Sequence, residues 1–422
     1  MRGMVFCLAA LSLIVVAINA QAESLKAYIL SGKVSGNIRS YYFNQINDGS
    51  SADNKYAYAL GGMIKVQTAP FYGVTEAIAF YTANGLGAND LNPPYAHLDS
   101  LLLGTRNSLN VLGQAYVQYQ NVWIRVRAGN QLLHTPWTNP SDAFMIPSTF
   151  QAVSVVAQPV SGLQLIGIRA FRFKNRTQEN YQQETLLNQN FLYADVPEGN
   201  SGALVFGAKQ NWHALTTEAW FYQFNSLADM FYGTVHYAAP KIDSIQPFAS
   251  FQYAREWGSG PELAGPVNAT ILGGMVGINN HYGQLFAAYD VLPARQSFSE
   301  GGNVLHNGGF ISPYTQQYSA DPLYTSIMDY GLVSASAAGH AWKFGIVLHP
   351  MRTLRIKYSY SMYETAPYIP TVDANYLDVT YTPGHFLKGL SIRDRVAVDH
   401  NDPFAGYHGT FIDDRLMLQY TF

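Results

Sequence analysis

The sequence predicts an all-β fold: a transmembrane antiparallel β-barrel with long extracellular loops. Three observations predict it. Segments of roughly ten residues alternate in polarity from about residue 31 to the end, separated by clusters of Gly, Pro, Asn, Asp and Ser. Charged residues make up only 13% of the chain, about half the usual globular share. Aromatic residues reach 14%, with 30 Tyr, a composition suited to rings whose apolar body and polar tip are both satisfied at a membrane interface.

The first element is not part of the barrel. Arg2 precedes the apolar run "VFCLAALSLIVVAINA", and "AQA" then leads to Glu23. Charged start, apolar middle and small-residue exit follow the order of a secretory signal peptide, with cleavage expected after Ala22 and residues 23–422 forming the barrel domain. No later run approaches the length of a spanning helix. The single cysteine, Cys7, lies in the leader, so disulfides and thiolate metal sites are not expected. Removing Arg2 from the 25 basic residues leaves 24 against 28 acidic ones, which argues against a nucleic-acid partner.

The strands are two-faced. In "NVWIRVRAG", Val122, Ile124, Val126 and Ala128 take one side, with Asn121, Trp123, Arg125 and Arg127 opposite. "VLGQAYVQYQ" sets Ala115, Val117 and Tyr119 against Gln114, Tyr116, Gln118 and Gln120. "AWKFGIVLHP" sets Trp342, Phe344, Ile346 and Leu348 against Lys343, and "TLRIKYSYS" sets Leu354, Ile356, Tyr358 and Tyr360 against Arg355, Lys357, Ser359 and Ser361. At the end of the sequence, Leu416, Leu418, Tyr420 and Phe422 share a face. "LIGIRAFRF" has no purely apolar face and is left unassigned. A soluble sandwich needs a charged exterior, which this chain lacks; a membrane barrel turns its apolar face to lipid and satisfies its backbone by closure. At about 40–50 residues per strand pair the count falls between roughly 16 and 18 strands, enough to leave an aqueous channel. Long loops are expected near 84–107, 129–150, 174–200, 297–339 and 362–376.

"RAGNQLLHTPWTNPSDAFMIPSTFQAVSV" resembles the segment of OprD-family outer-membrane porins in which a strand leads into an inward-folded loop and leaves through a Pro-x-Thr-Phe element, matched by Pro147, Thr149 and Phe150. "LKGLSIRDRVAV" and "DDRLMLQYTF" resemble the family's last two strands, and "GVTEAIAFYTANGLG" is a weaker third match. The resemblance implies 18 strands, a location in the bacterial outer membrane, and passive diffusion of small solutes such as amino acids or other carboxylates past a ladder of basic side chains. It places Asp142, Phe144, Pro147, Thr149 and Phe150 in the constriction loop. Phe144 stands where the family usually carries an arginine, and Gln151 where a basic residue is common, so an eyelet that is less anion-selective, or that prefers a more apolar solute, is expected. Tyr420 and Phe422 look like the C-terminal signature read by the barrel-assembly machinery. Outer-membrane lipid and lipopolysaccharide are the expected surroundings, and a monomer or loose trimer the expected assembly.

Three basic pairs spaced by two carry the ladder reading: Arg125 with Arg127, Arg355 with Lys357, and Arg393 with Arg395. Each pair shares one strand face, about 7 Å apart. Facing lipid, an arginine near the midplane would cost roughly 2–4 kcal/mol, so these side chains are expected to point inward and to pass a carboxylate between guanidinium forks. The alternative is that they pair with lumenal carboxylates and stiffen the wall. Lys33, Arg39 and Lys343 are further members. Asp394, between Arg393 and Arg395, falls on the lipid face, which requires an interfacial position or a bulge.

Catalysis is not expected. The 11 histidines lack metal-ligand spacing, Gly202, Gly207 and Lys209 are a poor phosphate loop, and "NNHYG" at 279–283 has no serine partner. No cofactor is expected. A surface adhesin or receptor acting through its long loops is the alternative to a porin.

Overall fold

The computed structural model describes residues 28, 31–49, 52–141, 144–187, 202–295, 308–315, 320–335, 337–365, 370–384, 387–402 and 408–422. The leader, residues 1–22, and Asp142 of the constriction loop lie outside the described residues.

The strands are β1 (Lys33–Asp48), β2 (Lys55–Gln67), β3 (Val74–Asn84), β4 (Ser108–Gln120), β5 (Ile124–Gln131) and β6 (Thr149–Val160). Next come β7 (Leu163–Lys174), β8 (Ala203–Trp212), β9 (Leu215–Phe224), β10 (Ala228–Ala238), β11 (Gln246–Gly258) and β12 (Asn268–Asn280). The rest are β13 (Gly283–Leu292), β14 (Gly339–Met351), β15 (Leu354–Thr365), β16 (Val372–Tyr381), β17 (Leu390–His400) and β18 (Thr410–Thr421). Each pairs antiparallel with its neighbours in sequence, and β1 closes the ring on β18, with Tyr41 opposite Met417. Closure leaves no strand edge to face lipid.

Connections alternate in length. At one end they are tight, spanning 161–162, 213–214, 281–282 and 352–353; at the other they include 85–107, 132–148, 175–202 and 293–338. Four of the five expected loops therefore sit where the turn residues put them. The fifth is shorter: Met362–Thr365 ends β15 and Val372–Tyr376 begins β16, because Tyr363 and Val372 pair across the ladder. "NNHYG" forms the β12–β13 hairpin turn, where Asn280 Oδ1 accepts from the backbone N–H groups of Tyr282 and Gly283 at 2.9 and 3.0 Å.

The alternation resolves into two faces. Ile38, Phe80, Phe251 and Phe344 lie between 45% and 55% exposed around the outside, and Trp123, Trp212 and Tyr282 ring the tight-turn end, as an interfacial girdle requires. Tyr420 and Phe422 stack at the same end with ring centroids 6.4 Å apart. The opposite, inner face carries small and polar residues together with large buried rings such as Tyr41, Phe43, Trp220 and Tyr222. Register shifts interrupt the ladders at several points, and two of them bear on the segments read above. Gly113 is the extra residue between the pairs Ala79–Gln114 and Phe80–Leu112, so Leu109 and Val111 share the inner face with Gln114, Tyr116 and Gln118. A Cβ at Gly113 would lie 2.7 Å from the Tyr81 ring. The segment "LIGIRAFRF" lies in β7 and carries the second register shift, opposite Gln151 and Ala152, which is why neither of its faces reads as apolar. β17 has no shift: Asp394 faces outward opposite Leu416, with Asp414 of β18 as its electrostatic neighbour.

Candidate functional site

The inner wall of β15–β18 gathers most of the basic side chains. Ladder registers set Lys357 opposite Asp378, Asp378 opposite Arg395, and Arg395 opposite Arg415, so four charged groups line up across four consecutive strands. Directly paired residues lie about 5 Å apart. Arg393 grips Asp378 with a two-pronged contact, Nε to Oδ1 at 2.9 Å and Nη2 to Oδ2 at 2.7 Å, and Arg355 Nη1 approaches Oδ2 at 3.7 Å. Lys357 lies over the Tyr376 ring at 5.5 Å. On β5, Arg127 donates twice to Gln118 Oε1, at 3.0 and 2.7 Å, and stacks on Tyr116 at 4.1 Å, beside the exposed Arg125.

Other basic residues are buried on loop or wall partners. Arg39 is buried, donating to Gln419 Oε1 at 2.8 Å and to the Phe144 carbonyl. Arg395 is buried and donates to the Tyr41 hydroxyl. Lys343 donates to the Ser326 carbonyl at 2.6 Å, also buried. Phe144 is enclosed by Phe43, by Arg176 over its ring at 4.0 Å and by Arg415 at 5.4 Å. Its loop is therefore held by three guanidinium groups although it carries no arginine at this position. Pro147, Thr149 and Phe150 are buried; Thr149 Oγ1 accepts from the Tyr181 hydroxyl at 2.8 Å, and Phe150 packs on Phe173 and Tyr314.

The 293–338 loop is anchored to wall residues at two places. Glu256 of β11 accepts the Ile311 N–H at 2.9 Å, and Asp290 of β13 accepts from both the N–H and hydroxyl of Thr325 at 2.7 Å. Gln252 donates to the other Asp290 oxygen at 2.7 Å, and Tyr363 donates to the Thr325 carbonyl at 2.6 Å.

Several wall residues escaped the sequence reading, Arg415 and Asp378 among them. Arg415 is 1% exposed, pairs with Asp413 at 2.5 Å and lies over Phe43 at 4.6 Å. Its signal was its place on the face of Met417 and Gln419, opposite the apolar stripe of β18. Asp378 sits alone in "NYLDVTY", and only the register shows that it faces Lys357.

Around Arg415 the wall and loops bring acids together. Asp99, Asp329, Asp399, Asp402 and Asp413 come from three loops and two strands, and all interact electrostatically within this group. Burial, with Asp413 close by, pushes Asp99 up to about 6; burial likewise raises Asp321 to about 6 and Asp329 well above the carboxylate range. A carboxyl whose pKa rises on folding favours the folded form at low pH. That contribution is complete below about 4 and is lost as pH rises to about 6 and beyond. Each two-unit shift corresponds to roughly 3 kcal/mol. Amide-exchange protection of residues 320–335 is therefore expected to be stronger at pH 4 than at pH 7.5, and Asp329→Asn to reduce the difference; equal protection at both pH values in the parent would contradict this.

Among the described residues no group of three or more His, Cys, Asp or Glu is placed to hold a metal ion.

Comparison with known proteins gives the same direction. A sequence model described as outer membrane porin, OprD family, matches residues 115–319. Curated protein sequences give no match. Among solved structures, OccK9 (OpdG) of Pseudomonas aeruginosa superposes with a TM-score of 0.75 at 16% identity, covering 94% of this chain and 99% of that one. OccAB3 of Acinetobacter baumannii gives 0.74 at 16%, covering 93% and 100%. OpdK of Pseudomonas aeruginosa, crystallised with vanillate, gives 0.71 at 14%, covering 94% and 99%. At these identities the structural likeness is one of fold.

Proposed function

We propose that this chain is an outer-membrane porin of the OprD type through which small solutes diffuse passively, and that its solutes are small carboxylates guided along the basic inner wall of β15–β17; the family match over residues 115–319 and the 18-stranded fold support this reading. The observation that carries this reading is the cluster at Arg355, Lys357 and Arg393, whose arginine side chains are 41% and 32% exposed although they surround a buried carboxylate. Such forks bind a carboxylate with two hydrogen bonds, and neighbouring forks let it move on without being trapped. Arg125 and Arg127 supply a second basic surface on β5. Arg39, Arg395 and Lys343, buried on loop or wall partners, position the path's surroundings. In this reading the 132–148 and 293–338 loops narrow the lumen; the contacts of Phe144 with Phe43 and of Thr325 with Asp290 support it. Vanillate, the aromatic carboxylate named with OpdK, is of the proposed class.

The test is a comparison of solutes. Arg355→Gln combined with Arg393→Gln is expected to weaken channel block by benzoate about tenfold or more, since a hydrogen bond to a charged group contributes about 1.5–3 kcal/mol. Passage of a neutral solute of equal size should change little. Equal loss for both solutes would overturn the ladder.

A further inference from the structure

We propose that Asp378 sets the anion affinity of this wall by acting as a built-in competitor: its carboxylate occupies, in the resting channel, the place on Arg393 that a solute carboxylate takes in passing. This rests on the carboxylate-path reading above. The geometry is that of a bound solute already in place. Arg393 holds both Asp378 oxygens, at 2.9 and 2.7 Å, in the planar fork that carboxylate recognition uses. Arg355 stands 3.7 Å from Oδ2, and the Tyr376 hydroxyl donates to the same oxygen at 3.4 Å. Lys357 and Arg395 flank Asp378 directly across the two ladders. One carboxylate that is 3% exposed thus sits beneath four cationic side chains, two of which open toward water.

The consequence is kinetic as well as thermodynamic. A wall of four cations without Asp378 would hold an anion long enough to stop conduction, because unscreened guanidinium groups in a narrow pore attract strongly. With Asp378 in place an arriving carboxylate exchanges for it on Arg393: two hydrogen bonds are made as two are released, and Asp378 shifts to Arg355 and Lys357. When the solute leaves, Asp378 returns. No net charge moves within the wall, so the exchange runs in either direction along the gradient.

The experiment uses the full-length mature barrel in planar bilayers, with reversal potentials in a potassium chloride gradient and benzoate as blocker. Asp378→Asn keeps the size of the side chain and removes the competing charge. It is expected to raise the anion-to-cation permeability ratio by roughly threefold or more and to lengthen each benzoate block, the scale of one unit charge in a weakly screened pore. Asp378→Glu should stay near the parent. An Asp378→Asn channel with parental selectivity and block, or one more selective for cations, would overturn the proposal. Arg393→Lys provides a second variant at unchanged net charge: it loses the fork, frees Asp378 toward the lumen and should lower the anion ratio, and an unchanged ratio would again count against it. If the Arg355/Arg393 double variant also leaves anion block untouched, the path reading itself fails. If that double variant weakens block while Asp378→Asn leaves it unaltered, only the competitor role fails.

Discussion

Arg415→Ala is expected to destabilise the barrel by about 3–5 kcal/mol, the usual effect of removing one partner of a buried ion pair and leaving the other charged. The surroundings make this site severe. Asp413 would lose its two-pronged contact, with Asp99, Asp329, Asp399 and Asp402 sharing the same interior. The rings of Phe43 and Phe144 would lose the guanidinium that lies over both, so the 132–148 loop loosens together with the β1–β18 seam. Thermal unfolding in detergent and protease sensitivity of that loop measure the effect. Arg415→Lys should recover little, because an ammonium cannot supply the planar fork. Adding Asp413→Asn to Arg415→Ala should restore part of the loss by removing the stranded charge. A variant as stable as the parent would show that Arg415 does not hold this region.

Asp290→Ala is the second large effect. Asp290 is fully buried and accepts three hydrogen bonds from Thr325 and Gln252. Hydrogen bonds to a charged group contribute about 1.5–3 kcal/mol each, so undocking of the Thr325 segment should become easier by at least about 3 kcal/mol. Lys343 and Tyr363, which donate to the Ser326 and Thr325 carbonyls, then lose their partners as the segment departs. The expected results are a new proteolytic site within 320–335 and a larger, noisier single-channel conductance. Asp290→Asn, which keeps one acceptor oxygen, should lie between parent and alanine. Unaltered proteolysis and conductance would mean that the loop is held elsewhere, at Glu256 and Ile311.

The fold was legible because a barrel wall repeats one rule along every strand. The faces of "TLRIKYSYS" and "AWKFGIVLHP" appear in β15 and β14 as they read in sequence, with Tyr358 and Phe344 outside and Lys357 and Lys343 inside. Alternation fails where a bulge adds a residue, as at Gly113 and in β7, since one inserted position reverses the phase of everything beyond it. The candidate site was only partly legible. Lys343 and Arg355 have the same pattern in sequence, yet one is sealed under Ser326 and the other stays 41% exposed, because the difference is made by how the 293–338 loop folds back on the strand it leads into. Asp378 was hidden for a related reason: its neighbours in sequence are Leu377 and Val379, whereas its partners Arg355 and Arg393 belong to the two adjoining strands.

In the proposed function a carboxylate-selective water path runs along the inner wall of this barrel. Single-channel recording of the refolded mature protein in a planar bilayer tests it most directly, with reversal potentials taken in a salt gradient while benzoate, a neutral amide of equal size and a small oligosaccharide are added in turn. Discrete openings with preference for anions, interrupted by benzoate at lower concentration than by the other two, are the predicted result. A silent barrel, or openings blocked equally by all three solutes, would contradict it, and silence would point to the loops as a surface for adhesion or reception instead.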